Sequence, residues 1–147
     1  GLVPAVLIAI PLFGISLIDL GVPLMLLLLS LYLFGITLGL LVTAGLVRFG
    51  PSFENIAWAS LFFIAPLGCI YYPVEILPNW LQVVALALPL AHIFEETRSI
   101  LITNTVNYVN IYNALMLNLV YLSIALLTFY RSFKTAKIKG SLINVGE

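Results

Sequence analysis

The sequence predicts an all-α, polytopic membrane protein. It has about four transmembrane helices and a re-entrant helical hairpin between the last two. Three observations predict this. The chain of 147 residues is 63% hydrophobic and 8% charged, against roughly 25% charged in ordinary soluble domains, and its mean hydropathy is +1.18. Long runs carry no charge at all. One apolar stretch, Tyr71–Leu101, is broken by Pro73, Pro78 and Pro89 and edged by Glu75, Glu95, Glu96 and Arg98. A soluble fold of this size leaves much of its surface in contact with solvent, so the solvent that suits this surface is lipid.

Crossing roughly 30 Å of hydrocarbon takes about 20 apolar residues in a helix. The first candidate is Leu2–Ile18, interrupted by Pro4 and Pro11 and ended by Asp19, Gly21 and Pro23. It is short, as a truncated or kinked span would be. The second, Pro23–Val47, is free of charge, rich in Leu, and closed by Arg48. The third runs over Ile56–Tyr72, after Glu54 and before Pro73. The fourth, Ile111–Tyr130, is stopped by Arg131 and followed by a basic tail over 131–147.

Between the third and fourth lies the broken stretch, with the hairpin expected over about 76–102. Ile76–Phe94 is uncharged and almost long enough to cross, but it contains Pro78, Asn79, Gln82, Pro89 and His92. Proline lacks an amide donor and clashes with the preceding turn, and in lipid each freed carbonyl needs another partner. The spacing predicts a helix from Asn79 to about Leu88, a break at Pro89, and a second helix from about Ala91 to Ile102. Thr103, Asn104, Thr105, Asn107 and Asn110 then form an aqueous loop. Such a hairpin belongs to transporters and channels more than to soluble enzymes.

Basic residues set the orientation. Arg131, Lys134, Lys137 and Lys139 crowd the C-terminal tail, and Arg48 lies between the second and third spans. The positive-inside rule places both in the cytoplasm. The two placements agree if the hairpin does not cross, and Asp19, Glu75, Glu95, Glu96 and Arg98 then lie outside. Tyr71, Tyr72, Trp80, Tyr108 and Tyr112 flank the expected span ends, as an aromatic belt at the headgroups would. The net charge of zero implies no nucleic-acid partner. The single cysteine, Cys69, excludes an internal disulfide and reads as a small buried hydrophobe. The chain starts at Gly1 with no initiating Met and no basic segment, as expected of a fragment whose N-terminal part is absent, or of a chain trimmed by design.

Few residues offer chemistry. No phosphate-binding loop of the GxxxxGK[ST] type and no HExxH occurs in the sequence. His92 with Glu95 and Glu96 has an H-x-x-E spacing, but one His and its carboxylates are few ligands for a metal. The plain reading is an interfacial histidine at a helix end. Glu95 and Arg98 are three apart and share a helix face. They read either as a latch that closes the hairpin at the outer mouth or as a solvated helix end. Gly35 and Gly39 form G-x-x-x-G, which lets helices approach closely, and this reads as packing within the bundle ahead of a contact between copies.

In order, the chain shows Arg48-Phe49-Gly50, Phe53-Glu54, Pro66-Leu67, Tyr72-Pro73-Val74, Leu77-Pro78-x-Trp80-Leu81-Gln82, Leu88-Pro89-Leu90 and Glu95-x-x-Arg98. From Pro23 to Lys134 it resembles the C-terminal part of a type-2 ABC transporter permease, the membrane subunit of bacterial exporters. The resemblance implies six spans in the whole permease, of which these match the third to sixth, with re-entrant helices on the outer side. It implies a homodimer in the bacterial cytoplasmic (inner) membrane with the C-terminus in the cytoplasm. It also implies two cytosolic ATP-binding-cassette subunits that bind ATP and Mg²⁺, so the chain itself is not an enzyme. Under this reading Pro73, Pro78, Trp80 and Pro89 shape the hairpin, and Glu95 and Arg98 close it. The alternatives are an intramembrane metal-dependent enzyme using His92, Glu95 and Glu96, and a membrane scaffold without transport. The spans carry no charged cluster that selects a substrate.

Overall fold

The computed structural model describes residues 21–139, and these are all-helical. The expected first span, 2–18, lies outside the described residues. Helix α1 covers Gly21–Phe49 and contains the second expected span. Pro23 lies in its first turn, where a missing amide is harmless. Arg48 lies in its last turn, where a cation suits the helix dipole. Gly50 ends it in the left-handed region (φ 78°), with its amide donating to the Leu46 carbonyl at 2.8 Å.

Helix α2 covers Phe53–Leu67. It starts and stops earlier than the expected 56–72, because Glu54 is welcome in a first turn and the chain turns at Gly68 and Cys69. Gly68 closes the helix with its amide on the Ile64 carbonyl at 2.7 Å. Cys69 takes the left-handed conformation (φ 55°), where a glycine would be the usual choice. The neighbouring glycine is needed for space instead. A Cβ at Gly68 would run into the Leu90 side chain.

A 3₁₀ turn, Val74–Ile76, follows between the extended residues Pro73 and Leu77. Helix α3, Asn79–Leu86, starts directly after Pro78, whose carbonyl receives the Leu81 and Gln82 amides at 2.8 and 3.0 Å. Helix α4 covers Pro89–Thr103. The break falls at Ala87 and Leu88, not at Pro89. Leu88 is extended, as the residue before a proline prefers, and Pro89 opens α4 at the first position, which its fixed φ suits. Asn104, left-handed at φ 54°, ends α4. Helix α5 covers Tyr108–Lys139, with the Asn107 side chain accepting the Val109 amide at 3.1 Å as its cap. It continues past the expected end at Tyr130, so the first part of the basic tail is helix.

Two of these helices, α1 and α5, are long and apolar enough to cross a membrane. They lie side by side in the same direction. Leu27 packs in one cluster with Ile111 and Ala114, and three residues further along, Ser30 meets Asn118. The buried residues of α1 are Pro23, Leu27, Ser30, Phe34, Thr37, Ala44 and Gly45. Those of α5 include Ile111, Ala114, Asn118, Ala125, Ser132 and Ala136. Both sets follow the alternating three- and four-residue spacing of a left-handed helix pair. Small residues dominate the seam, which lets the two backbones come close.

Helix α4 lies against this pair and contributes Ile93 and Ile100 to the same cluster. It runs antiparallel to α5. Its far end, Glu96 onward, meets Asn107 and Asn110, while the α3–α4 bend meets Tyr121. Tyr121 is 13 residues past Tyr108, about 20 Å along the helix at 1.5 Å per residue. The hairpin therefore reaches partway down α5 and turns back. A second cluster of Cys69, Val74, Ala85 and Ala91 joins the two arms of the hairpin to the turn before it.

Gly35 and Gly39 do not pack within the described bundle. Both are exposed, and a Cβ at either would meet nothing within 4 Å. The seam follows Ser30, Thr37 and Ala44, and at 100° per residue Gly39 lies on the opposite side of α1. The close approach on α1 is at Gly45, where a Cβ would collide with the Phe53 ring.

Candidate functional site

Every carbonyl that the broken backbone between α2 and α5 hands over to a side chain has a donor of suitable length beside it. The Tyr72 hydroxyl donates to the Pro66 carbonyl at 2.8 Å. Arg98 Nη2 donates to the Cys69 carbonyl at 3.0 Å. Gln82 Nε2 donates to the Leu77 carbonyl at 2.8 Å. His92 Nε2 contacts the Leu86 carbonyl at 2.8 Å and must carry the proton there, since a carbonyl only accepts. The Tyr121 hydroxyl donates to the Ala87 carbonyl at 3.0 Å. In water such donors are optional. Away from water each orphaned carbonyl is expensive, and these side chains address the breaks; of the five acceptors, the Pro66 carbonyl also receives the Cys69 amide at 3.2 Å.

Glu95 and Arg98 form the base of the hairpin. Helical spacing puts them one turn apart on α4, and Arg98 Nη1 donates to Glu95 Oε1 at 2.7 Å. The pair is partly buried, with side-chain exposures of 24% for Arg98 and 30% for Glu95. The same Glu95 oxygen accepts the Val74 amide at 2.8 Å. With Arg98 on the Cys69 carbonyl, the pair ties α4 to both ends of the Cys69–Val74 turn. An exposed ion pair contributes little, but hydrogen bonds to charged groups contribute about 1.5–3 kcal/mol each. The arrangement clamps α4 to a turn.

Glu96, the next residue, points elsewhere and is fully buried. Its Oε1 accepts the Asn107 amide at 2.6 Å and its Oε2 accepts Asn110 Nδ2 at 3.0 Å. A carboxylate at the start of α5 suits the positive end of the helix dipole. Glu96 thus fastens the end of α4 to the beginning of α5. Sequence analysis placed it only at an edge or in a metal set. The signal was present, because Ile93, Glu96 and Ile100 have the spacing of one buried face.

The three residues of the suggested metal set therefore go to three different partners. His92 serves the Leu86 carbonyl, Glu95 serves Val74 and Arg98, and Glu96 serves Asn107 and Asn110. Among the described residues no group of three or more His, Cys, Asp or Glu converges. Of the hairpin residues, Pro73, Pro78 and Pro89 sit at the start of the 3₁₀ turn, α3 and α4 respectively. Trp80, in the first turn of α3, is 70% exposed.

Sequence analysis also missed the polar contact in the seam. Asn118 Nδ2 donates to the Ser30 carbonyl at 2.9 Å and to Ser30 Oγ at 2.6 Å, with both residues fully buried. Asn118 Oδ1 is the one buried side-chain oxygen or nitrogen among the described residues without a hydrogen-bond partner.

A comparison with models of known protein families, with curated proteins and with solved structures finds no match. The likeness to an exporter permease thus rests on the sequence pattern quoted above.

Proposed function

We propose that the chain is part of the membrane-spanning permease subunit of an ATP-driven exporter, with the hairpin at the outer mouth of the substrate path. The observation that carries the reading is the hairpin itself. Its bend reaches Tyr121, partway along a helix long enough to span, and its backbone breaks are served by side-chain donors. Irregular backbone at membrane depth is tolerated where protein satisfies it, and transporters use it around their pathways.

The directions of α1 and α5 support the same topology. Two parallel spanning helices need an odd number of crossings between them. Helix α2, 15 residues long, would supply one crossing together with the turn after it, as the expected span ending at Tyr72 has it, and a hairpin that returns to its starting face supplies none. Arg48 and the basic end of α5 then share the cytoplasmic face, as the positive-inside rule requires. In this arrangement the engine is external. Cytosolic ATP-binding-cassette subunits would bind ATP and Mg²⁺, and a second permease copy would complete the path across the bacterial inner membrane.

The Glu95–Arg98 clamp is the element we assign to gating, because it holds the hairpin's base to the turn after α2. The test is export by the complete permease with its ATPase, carrying Glu95→Ala or Arg98→Ala. Export reduced several-fold at unchanged membrane levels supports the assignment. Unchanged export at unchanged levels removes it.

A further inference from the structure

We propose that the basic end of the bundle is a binding surface for anionic phospholipid headgroups. The inference rests on the membrane placement above and adds a partner to it. Because α1 and α5 are parallel, their C-terminal ends lie at the same end of the bundle. The Ser30–Asn118 pairing, carried along both helices, sets Arg48 level with Ala136, between Lys134 and Lys137. Arg48, Arg131, Lys134 and Lys137 are all exposed. Among the described residues the one ion pair is Glu95–Arg98, so no carboxylate of the described residues neutralises any of these four. The nearby acid, Glu54, is a single charge at the start of α2.

Length explains why the charges gather there. Helix α5 has 32 residues, about 48 Å at 1.5 Å per residue, against roughly 30 Å of hydrocarbon. The apolar part ends at Tyr130, so the turns from Arg131 to Lys139 stand in the headgroup layer. Bases alternate there with exposed apolar side chains: Tyr130, Phe133 and Ile138 on α5, and Phe49 beside Arg48. The Arg48 guanidinium lies 5.5 Å from the Phe49 ring centre. Rings and aliphatic stems suit the acyl boundary while the charged heads reach the phosphates. A water-soluble acidic partner would match the charges but would leave these apolar side chains unused.

The chain carries two tryptophans, which allows a direct test. Trp58 is exposed on α2, five residues from Phe53 and near this end, whereas Trp80 lies in the hairpin. The full chain carrying Trp80→Phe is reconstituted in vesicles of phosphatidylcholine with phosphatidylglycerol, one of the two lipids brominated in turn. Bromine quenches Trp58 when that lipid is beside it. The expected result is a preference for phosphatidylglycerol of about fivefold, the effect of one basic residue near an anionic surface. It falls with added salt, and falls towards unity with Arg131→Gln, Lys134→Gln and Lys137→Gln together. Equal quenching by both lipids overturns the proposal and leaves the bilayer placement standing. No quenching by either lipid overturns the placement and the proposal with it. A preference unchanged by salt and by the triple substitution overturns the assignment to these residues.

Discussion

The Tyr121 hydroxyl donates to the Ala87 carbonyl at 3.0 Å, joining the bend of the hairpin to a point 13 residues inside α5. One bond thereby reports how deep the hairpin goes. It also satisfies a carbonyl that the break before Pro89 would leave without a helical partner. Tyr121→Phe keeps the ring and removes only this bond. With the bend held in the apolar layer, it should destabilise the protein by about 1–3 kcal/mol, the range for an acceptor orphaned away from water, as read from thermal unfolding in detergent. A loss within error would show that the bend is served by another donor.

Arg98→Ala should loosen the turn from Cys69 to Val74 and lower stability by about 2 kcal/mol, since it removes a charge-assisted bond to the Cys69 carbonyl and the partner of Glu95. Arg98→Lys should recover less than half of that, because one ammonium cannot reproduce a fork that reaches Glu95 and Cys69 from separate nitrogens. Full recovery with Lys would mean that charge alone matters there.

Glu96→Ala leaves the Asn107 amide and the Asn110 side chain without their acceptor. Hydrogen exchange at the Asn107 amide should speed up at least tenfold, and Glu96→Gln should fall between the two because it retains one acceptor oxygen. Exchange unchanged in the Ala variant would contradict the role assigned to Glu96.

Gly68→Ala should cost about 1–3 kcal/mol, because a Cβ at Gly68 meets Leu90. Combining it with Leu90→Ala should give back part of that loss. Gly35→Ala and Gly39→Ala, which meet nothing within 4 Å among the described residues, should not destabilise the isolated chain, and the better helix former should stabilise it by up to about 1 kcal/mol each.

Asn118→Ala and Ser30→Ala should be coupled. A double-mutant cycle should give about 0.6 kcal/mol and no more than about 1.7, the range found for polar pairs between membrane helices. Zero coupling would contradict the seam contact.

The helical class was legible because composition leaves few other options, and α1 stood out as a charge-free run longer than a bilayer needs. The division into the short helices α3 and α4 was legible because Pro73, Pro78 and Pro89 interrupt an otherwise apolar stretch. The packed faces were harder to see. Helix α1 is apolar all round, so polarity does not mark its inside, and G-x-x-x-G marks a face that meets nothing among the described residues. The informative residues were the small and weakly polar ones at seven-residue spacing, Ser30, Thr37 and Ala44, opposite Asn118, Ala125 and Ser132. The donors to the breaks were also hidden, because Gln82, His92 and Tyr121 reveal their roles only when the carbonyl each one serves is known. Glu95 and Glu96 look alike in the sequence, yet neighbouring positions on a helix differ by 100° and send one to the turn and the other into the core.

The measurement that bears most directly on the central claim is the sidedness of the two ends of the hairpin. In a Cys69→Ser background, single cysteines replace Ser52, Glu75 and Thr105, all exposed. The full chain is then labelled in sealed vesicles with a membrane-impermeant maleimide. A hairpin that dips in and returns predicts that Glu75→Cys and Thr105→Cys react from one side and Ser52→Cys from the other. Labelling of Glu75→Cys and Thr105→Cys from opposite sides would mean that the segment between them crosses the membrane, and would contradict the account.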